Sequence, residues 1–434
     1  VLPDHPTGRT VGIPPLEFYD RAPTNVIFLS IDTFRKDHLG IYGNLENATP
    51  FLDSIARDGV TLDDHTQCSC WTFASTTCTL AGRYNFDRGH LPRLNGTDEQ
   101  RPKVAPGTPF LATWLGDAGY YSVIVSGNDW LSDTWGNTQG FDEMIRPAGS
   151  ADAVYESGTK AIREAINRGE ADKWFMHLHF MEPHAAYAPP ADNIIGGEDI
   201  EPWPGDLTNR PTHYDARDEW PTMSQADQDL LEANLRLLYE AELRTIDERL
   251  ADIWDDLERE GYLDDTLVVI WNDHGEQFWE HGHQTHAYDL YREENDGFAI
   301  FWSRNLVSGS WSGPTASVDL VPTILDNLGL AIPPEVTGVP VGKALEDRVR
   351  YGEALARTGG VTSVTQNGLM LHYSWSGAMS FYDRNVDPDE LNDLYSATDE
   401  RVLELWGHLR PVAEDMAGLV VGGSPVPNWP VGLP

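Results

Sequence analysis

The sequence predicts an α/β fold, a mostly parallel central sheet flanked by helices, followed by a small C-terminal antiparallel α+β subdomain. Three observations carry this. Two continuous apolar runs, NVIFLSI at 25–31 and TLVVIWN at 266–272, have the composition of strands buried on both faces. Between and after them strand-like and helix-like segments alternate, as right-handed crossovers require. From about residue 351 the texture changes to short strands and turns.

Taken in order, residues 1–24 are Pro-rich and read as an irregular N-terminal arm. The first strand follows at 25–31. Residues 49–59 form a helix with Pro50 at its start and Gly59 past its end. A second helix begins near Thr72 and stops at Gly82, and 109–119 repeats the Pro-to-Gly pattern before a strand at 120–126. Residues 151–168 are helical, and 173–180 are a strand. The stretch 189–221 is rich in Pro, Asp and Trp and lacks periodicity; it is too long for a plain connection and reads as a lid or specificity insertion. Leu, Tyr and Ile recur at helical spacing over 224–261. After the 266–272 strand come a His-rich loop, a strand at 297–302 and a helix at 318–328. The chain thus divides into an arm (1–24), a catalytic α/β domain (25–350) and a C-terminal subdomain with its tail (351–434).

The 434 residues hold 69 acidic and 30 basic side chains, a net charge of -39, with only five lysines. Such a surface repels nucleic acid and anionic membranes, which excludes both as partners. It suits a protein kept soluble at high salt, where self-repulsion is screened, and so a halophilic source. Cys68, Cys70 and Cys78 form an odd, local set that is neither a disulfide framework nor a zinc spacing. No stretch is long and apolar enough to insert in a membrane. Val1 stands where an initiating methionine would, so a cytoplasmic location and export after leader removal both stay open.

Both long apolar runs end in an acid, Asp32 and Asp273, and the second is followed by His274. In parallel sheets ligands bind beyond the carboxyl ends of strands. Two carboxylates and an imidazole at that edge are a metal-site composition. Thr72 opens a helix, where unpaired N–H groups and the positive dipole end welcome an anion. Metal coordination would lower its hydroxyl pKa and make it a nucleophile. By itself Thr72 is an ordinary N-cap; the convergence of the other residues gives it a chemical role.

Several motifs together resemble the sulfatase branch of the alkaline phosphatase superfamily. SIDTFRKDHLG (30–40) resembles the opening motif of that branch, and NDHGE (272–276) with EHGH (280–283) its second metal motif. WTFASTTCTLAGR (71–83) is similar to its nucleophile segment, EPH (182–184) to its Asp-Pro-His, and VDLVPTIL (318–325) to a downstream helix. FYDR (381–384), DPDE (387–390) and NDL (392–394) resemble its C-terminal signature, so the likeness spans residues 25 to about 395.

The resemblance implies one divalent metal held by Asp32, Asp273 and His274, with the Thr72 oxygen completing the set. Such ligands suit Zn²⁺ first and Mn²⁺ next; Ca²⁺ prefers all-oxygen sites, though sulfatases often use it. It implies catalytic roles for Thr72 as nucleophile, for His184 and His286 on the transferring group, and for Arg35 steadying the nucleophile or pairing with a nearby acid. Three positions depart from the sulfatase pattern. Thr33 replaces a second aspartate, His286 stands where sulfatases carry a lysine, and Thr72 stands where they carry the cysteine that becomes formylglycine. Cys70 lies two residues too early for that modification. The Thr72 departure resembles phosphodiesterases, phosphonate hydrolases and phosphoethanolamine-type transferases, and the His286 departure resembles the last of these. The expected activity is therefore cleavage of a phosphoester or phosphonate ester, small or glycan-linked. The alternatives are a sulfate-ester hydrolase and a silent scaffold that keeps the fold.

Overall fold

The computed structural model describes residues 16–44, 48–87, 103–147, 150–343, 346–354, 360–419, 430 and 433. Residues 1–15 of the expected arm, and most of the tail after 419, lie outside the described residues. Residues 16–24 run along the domain, with Phe18 bridged to Leu306 and Tyr19 N–H donating to the Asn305 carbonyl.

Strand β1 (Asn25–Ile31) leads to α1 (Pro50–Asp58), β2 (Val60–Leu62) and β3 (His65–Thr66). Helices α2 (Thr72–Ala81) and α3 (Leu111–Asp117) precede β4 (Tyr121–Ser126) and β5 (Glu143–Ile145). Helix α4 (Ala151–Arg168) crosses to β6 (Trp174–Phe180), and α5 (Arg210–Glu219) and α6 (Gln225–Arg259) lead to β7 (Thr266–Asn272). A hairpin, β8 (Gln277–Phe278) and β9 (Gln284–Thr285), is followed by α7 (Arg292–Asn295) and β10 (Ala299–Trp302). Strands β11 (Gly309–Trp311) and β12 (Thr315–Ala316) and helix α8 (Leu320–Asn327) close this part. The C-terminal part holds β13 (Arg350–Ala354), β14 (Val361–Gln366), β15 (Leu369–Ser374), β16 (Met379–Asp383) and α9 (Glu400–Leu419).

The main sheet has the order β11-β2-β10-β7-β1-β6-β4-β5. All its neighbours pair in parallel except those of β10, which runs against β7 and β2. Alternation of side chains gives the sheet two apolar faces. Ile27, Leu29 and Ile31 pack with α1, α4 and α6, whereas Val26 and Phe28 pack with α2, α3 and α8. Because β1, β4, β6 and β7 are parallel, their carboxyl ends open on one edge.

Helix α2 is buried along its whole length although half of its residues carry hydroxyls. Thr76 and Thr77 satisfy theirs on carbonyls four residues back, Thr72 and Phe73, which lets a polar helix enter a core. Gly82 ends it with φ 61°, and a side chain there would press on Val321 and Val336.

Two expectations need correcting. The 189–221 insertion is not without regular structure: Asn209 caps α5 by accepting from Thr212 N–H. Only His213 and Ala216 of α5 are buried, too few to print a helical period on the sequence. Trp220, just after it, stacks on Trp279 at 3.6 Å between ring centroids, tying the insertion to the β8–β9 hairpin. The cysteines are also not all unpaired. Cys68 and Cys78 form a disulfide across the start of α2, and Cys70 is the free, buried one. A bend between residue 68 and the helix brings the two Cα atoms to 6.7 Å, which spacing alone does not reveal.

The small antiparallel sheet has the order β13-β14-β15-β16, and α9 covers it through Val402, Leu405 and Leu409 against Val364, Leu371 and Phe381.

Candidate active site and metal centre

In-register pairing of β1 with β7 sets Ile31 beside Asn272, so the next residues, Asp32 and Asp273, emerge side by side. Both are fully buried, as is His274. Each carboxylate has one oxygen held by protein donors and one bare. Asp32 Oδ2 accepts from Asn128 Nδ2 at 2.7 Å and lies 3.3 Å from His179 Nε2; Oδ1 has no hydrogen-bond partner among the described residues. Asp273 Oδ1 accepts from the N–H groups of His274 at 2.8 Å and Thr33 at 3.3 Å; Oδ2 has none. His274 Nδ1 faces the Gly275 carbonyl at 3.0 Å and must donate to it, which leaves a lone pair on Nε2. That nitrogen is 3.6 Å from Asp32 Oδ1 and 3.5 Å from Asp273 Oδ2. One ligand atom from each residue falls within 4.8 Å of the others. Two bare buried oxygens and an imidazole lone pair converging on one point fit a divalent cation, since buried acceptors left bare are costly.

Electrostatics agree. Burial resists ionisation of Asp32, but the neighbouring His184 and the hydrogen bond from His179 outweigh it and hold this carboxyl well below the usual range. Burial and the charge of Asp32 push Asp273 well above its usual range. Burial likewise lowers His274 and keeps it neutral, the form that ligates metal.

Thr72 is the first residue of α2, and Ser75 Oγ fastens that first turn to the Asp273 carbonyl at 2.5 Å. Thr72 Oγ1 lies 3.4 Å from His274 Nε2, 3.5 Å from Asp32 Oδ2 and 3.2 Å from Asn128 Nδ2. The structure therefore brings Asp32, Thr72, Asp273 and His274 together from segments far apart in sequence.

His184 and His286 line the same space. Their rings are 5.1 Å apart, and the His286 ring is 4.5 Å from that of His274. His184 Nδ1 donates to the Ala185 carbonyl, and His286 Nδ1 lies 3.1 Å from Glu276 Oε1. Residues on both sides of His286 are in the left-handed region, Thr285 at φ 76° and Ala287 at φ 72°. Thr33, next to Asp32, is at φ 55°. Conformations of this kind cost about 1–3 kcal/mol each outside glycine and persist where the surroundings enforce them. Tyr239 enforces one of them, its hydroxyl donating to the Thr33 carbonyl at 2.8 Å.

Arg35 lies elsewhere. Its guanidinium grips Asp37 through both Nε and Nη2, at 3.0 and 2.7 Å, and Glu280 at 2.6 Å, and donates to the Glu276 carbonyl. Of its two expected roles, the structure shows the pairing with acids: Arg35 braces the loop after β7. Three residues at the site were not expected. Asn128 follows β4 in a Gly-Asn-Asp stretch that reads as a turn, Glu276 is hidden within the metal motif, and His179 looks like a strand residue. The spacing of His177 and His179 in a buried strand that runs into EPH was the one available signal.

A model of the sulfatase family matches residues 24–330. An N-acetylglucosamine-6-O-sulfatase of Bacteroides thetaiotaomicron is 21% identical over 86% of this chain and 82% of its own length. An arylsulfatase of Clostridium perfringens is 22% identical over 89% of this chain and 93% of its own. The solved phosphonate monoester hydrolase of Silicibacter pomeroyi superposes with a TM-score of 0.66 at 20% identity, covering 90% of this chain and 94% of that one.

Proposed function

The chain belongs to the sulfatase family, and from that premise we propose that it is a metal-dependent hydrolase cleaving a phosphoester or phosphonate ester by attack of Thr72. The ester is small or glycan-linked. One observation carries the reading: Thr72 Oγ1 stands at a helix N-terminus within 3.5 Å of both Asp32 and His274. Asp32, Asp273 and His274 would hold the ion, with the Thr72 hydroxyl beside it. When bound, a divalent cation supplies Lewis-acid polarisation and a lowered hydroxyl pKa at this point. Two carboxylate oxygens, one nitrogen and a hydroxyl suit Zn²⁺, or Mn²⁺ with added water, better than Ca²⁺.

Thr72 gives up its hydroxyl proton to solvent water, and its Oγ1 forms a bond to phosphorus as the bond to the leaving oxygen breaks. His184 and His286 donate to oxygens that gain charge, and one of them protonates the leaving group. Asn128 holds Thr72 in place. Water then releases the group from threonine.

A second reading, sulfate-ester hydrolysis, is favoured by the comparisons, since the curated relatives are named sulfatases. Against it stands the nucleophile itself. Thr72 is an ordinary alcohol and cannot become formylglycine, while Cys70 is buried, with its thiol pushed up by burial and by Glu294. Phosphorus is therefore the reading that the residue chemistry supports. Aryl phosphate, phosphodiester, phosphonate and sulfate with one shared leaving group, assayed after metal analysis, separate the two. Sulfate turnover exceeding all three phosphorus substrates would reverse our assignment. A chain that takes up no ion and turns over none of the four would be the silent scaffold.

A further inference from the structure

The proposed reaction uses Asp32 but not the three polar side chains queued behind it. Ser30, His177 and His179 are fully buried. Side chains alternate along β6, so His177 and His179 share a face, and the register sets Ser30 of β1 directly beside His179. Ser30 Oγ is 2.9 Å from His177 Nε2 and 2.8 Å from His179 Nδ1, and His179 Nε2 is 3.3 Å from Asp32 Oδ2. Their surroundings are apolar: the ring of His177 packs on Phe28 and Phe141. Valine or leucine would fill this space without the cost of drying two imidazoles and a hydroxyl.

Donor and acceptor counting gives the array one direction. The Asp32 carboxylate only accepts, so His179 Nε2 carries the proton. His179 Nδ1 then accepts from the Ser30 hydroxyl, whose lone pairs accept from His177 Nε2–H. Asp32 Oδ2 thereby receives two N–H donors, from His179 and Asn128, and Oδ1 is left as its one bare oxygen.

We propose that His179, backed by Ser30 and His177, is a positioning residue for the metal centre, pinning Asp32 Oδ2 so that the carboxylate offers Oδ1 alone to a divalent cation. This rests on Asp32 being a metal ligand. Without the array Asn128 alone holds Oδ2, and the carboxylate can turn more freely and offer both oxygens, at the expense of affinity and of a fixed coordination number.

The test is Zn²⁺ binding by the full chain, in competition with a chromophoric chelator, for wild type, His179→Leu, His179→Gln and Ser30→Ala. Circular dichroism checks each fold, and the visible spectrum of the Co²⁺-loaded protein reports coordination. His179→Leu should weaken Zn²⁺ binding about 10- to 100-fold and alter the Co²⁺ spectrum, because an outer partner of a ligand is lost. His179→Gln, whose amide can still donate, should recover to within about threefold, and Ser30→Ala should fall between them. A folded His179→Leu protein with wild-type affinity and spectrum overturns the proposal, as does glutamine performing no better than leucine. Should His179→Leu not fold, Ser30→Ala decides: unchanged affinity and spectrum overturn it. Wild type that takes up no ion removes the metal reading and the array with it, whereas wild-type uptake unaffected by the variants removes the array alone.

Discussion

Asn128 sets one amide nitrogen between Asp32 and Thr72, 2.7 Å from Asp32 Oδ2 and 3.2 Å from Thr72 Oγ1. The amide has two hydrogens, one for each oxygen, and its own Oδ1 is fixed by the Trp130 N–H at 2.9 Å. Asn128→Ala should therefore lower kcat about 10²- to 10³-fold, the usual loss for one preorganised donor. Asn128→Asp, which keeps the shape but loses both amide hydrogens, should lower kcat as well, and its added charge should tighten rather than weaken metal binding. Steady-state kinetics and metal titration of folded variants check both, and wild-type turnover by Asn128→Ala would remove Asn128 from the site.

For Thr72 the decisive contrast is serine against alanine. Thr72→Ser keeps the hydroxyl at the helix start and should stay within about tenfold of wild type, while Thr72→Ala should lose on the order of 10⁴-fold or more, as other nucleophile deletions do. Quenched turnover followed by accurate-mass peptide analysis should find the transferred group on the peptide containing Thr72. Full activity in Thr72→Ala would end the nucleophile assignment.

Arg35 should matter to stability before it matters to rate. Replacing it with methionine strands Asp37 and Glu280, at a cost of about 3 kcal/mol, the low end for a buried pair because Asp37 keeps 35% of its side chain exposed. Denaturant unfolding reads this directly. A stable Arg35→Met protein with no activity would instead give Arg35 a part in the chemistry.

Glu353 supplies a pH signature away from the site. Burial pushes its carboxyl up to about 8, although Asn85 donates to it. The folded chain thus keeps a proton that the unfolded chain releases near pH 4.5. Its contribution is fully present below that pH and is lost as pH rises through about 8, at up to about 1.4 kcal/mol per pH unit. Glu353→Gln should therefore be more stable than wild type at pH 8 and no more stable near pH 4. Glu242 and Asp247, also pushed up to about 7, tilt both proteins alike, so the difference between melting curves is the quantity to measure. Parallel curves would contradict the protonated assignment.

The main sheet and the buried cluster of Asp32, Asp273 and His274 were legible because one physical rule covers both. A strand buried on two faces must be continuously apolar, and an acid ending such a strand falls where parallel sheets open. Thr72 was legible from the helix that Gly82 terminates. Asn128 was not, because a lone Asn after a strand is what most turns contain. His179 was hidden by its location, since an imidazole inside an apolar strand shows its purpose only once Ser30 stands opposite. Arg35 lies close in sequence to Asp32, yet its fork geometry suits the two acids beside it better than a threonine hydroxyl. Helix α5 escaped because only His213 and Ala216 face inward.

The backbone twist on either side of His286 has a consequence for anyone seeking a hardier version of this protein. Glycine at 287 would relax the backbone beside the imidazole, so a screen rewarding heat tolerance would favour that exchange. The imidazole would then lose one of the stiff flanks that aim it, and catalysts selected for endurance would turn over more slowly.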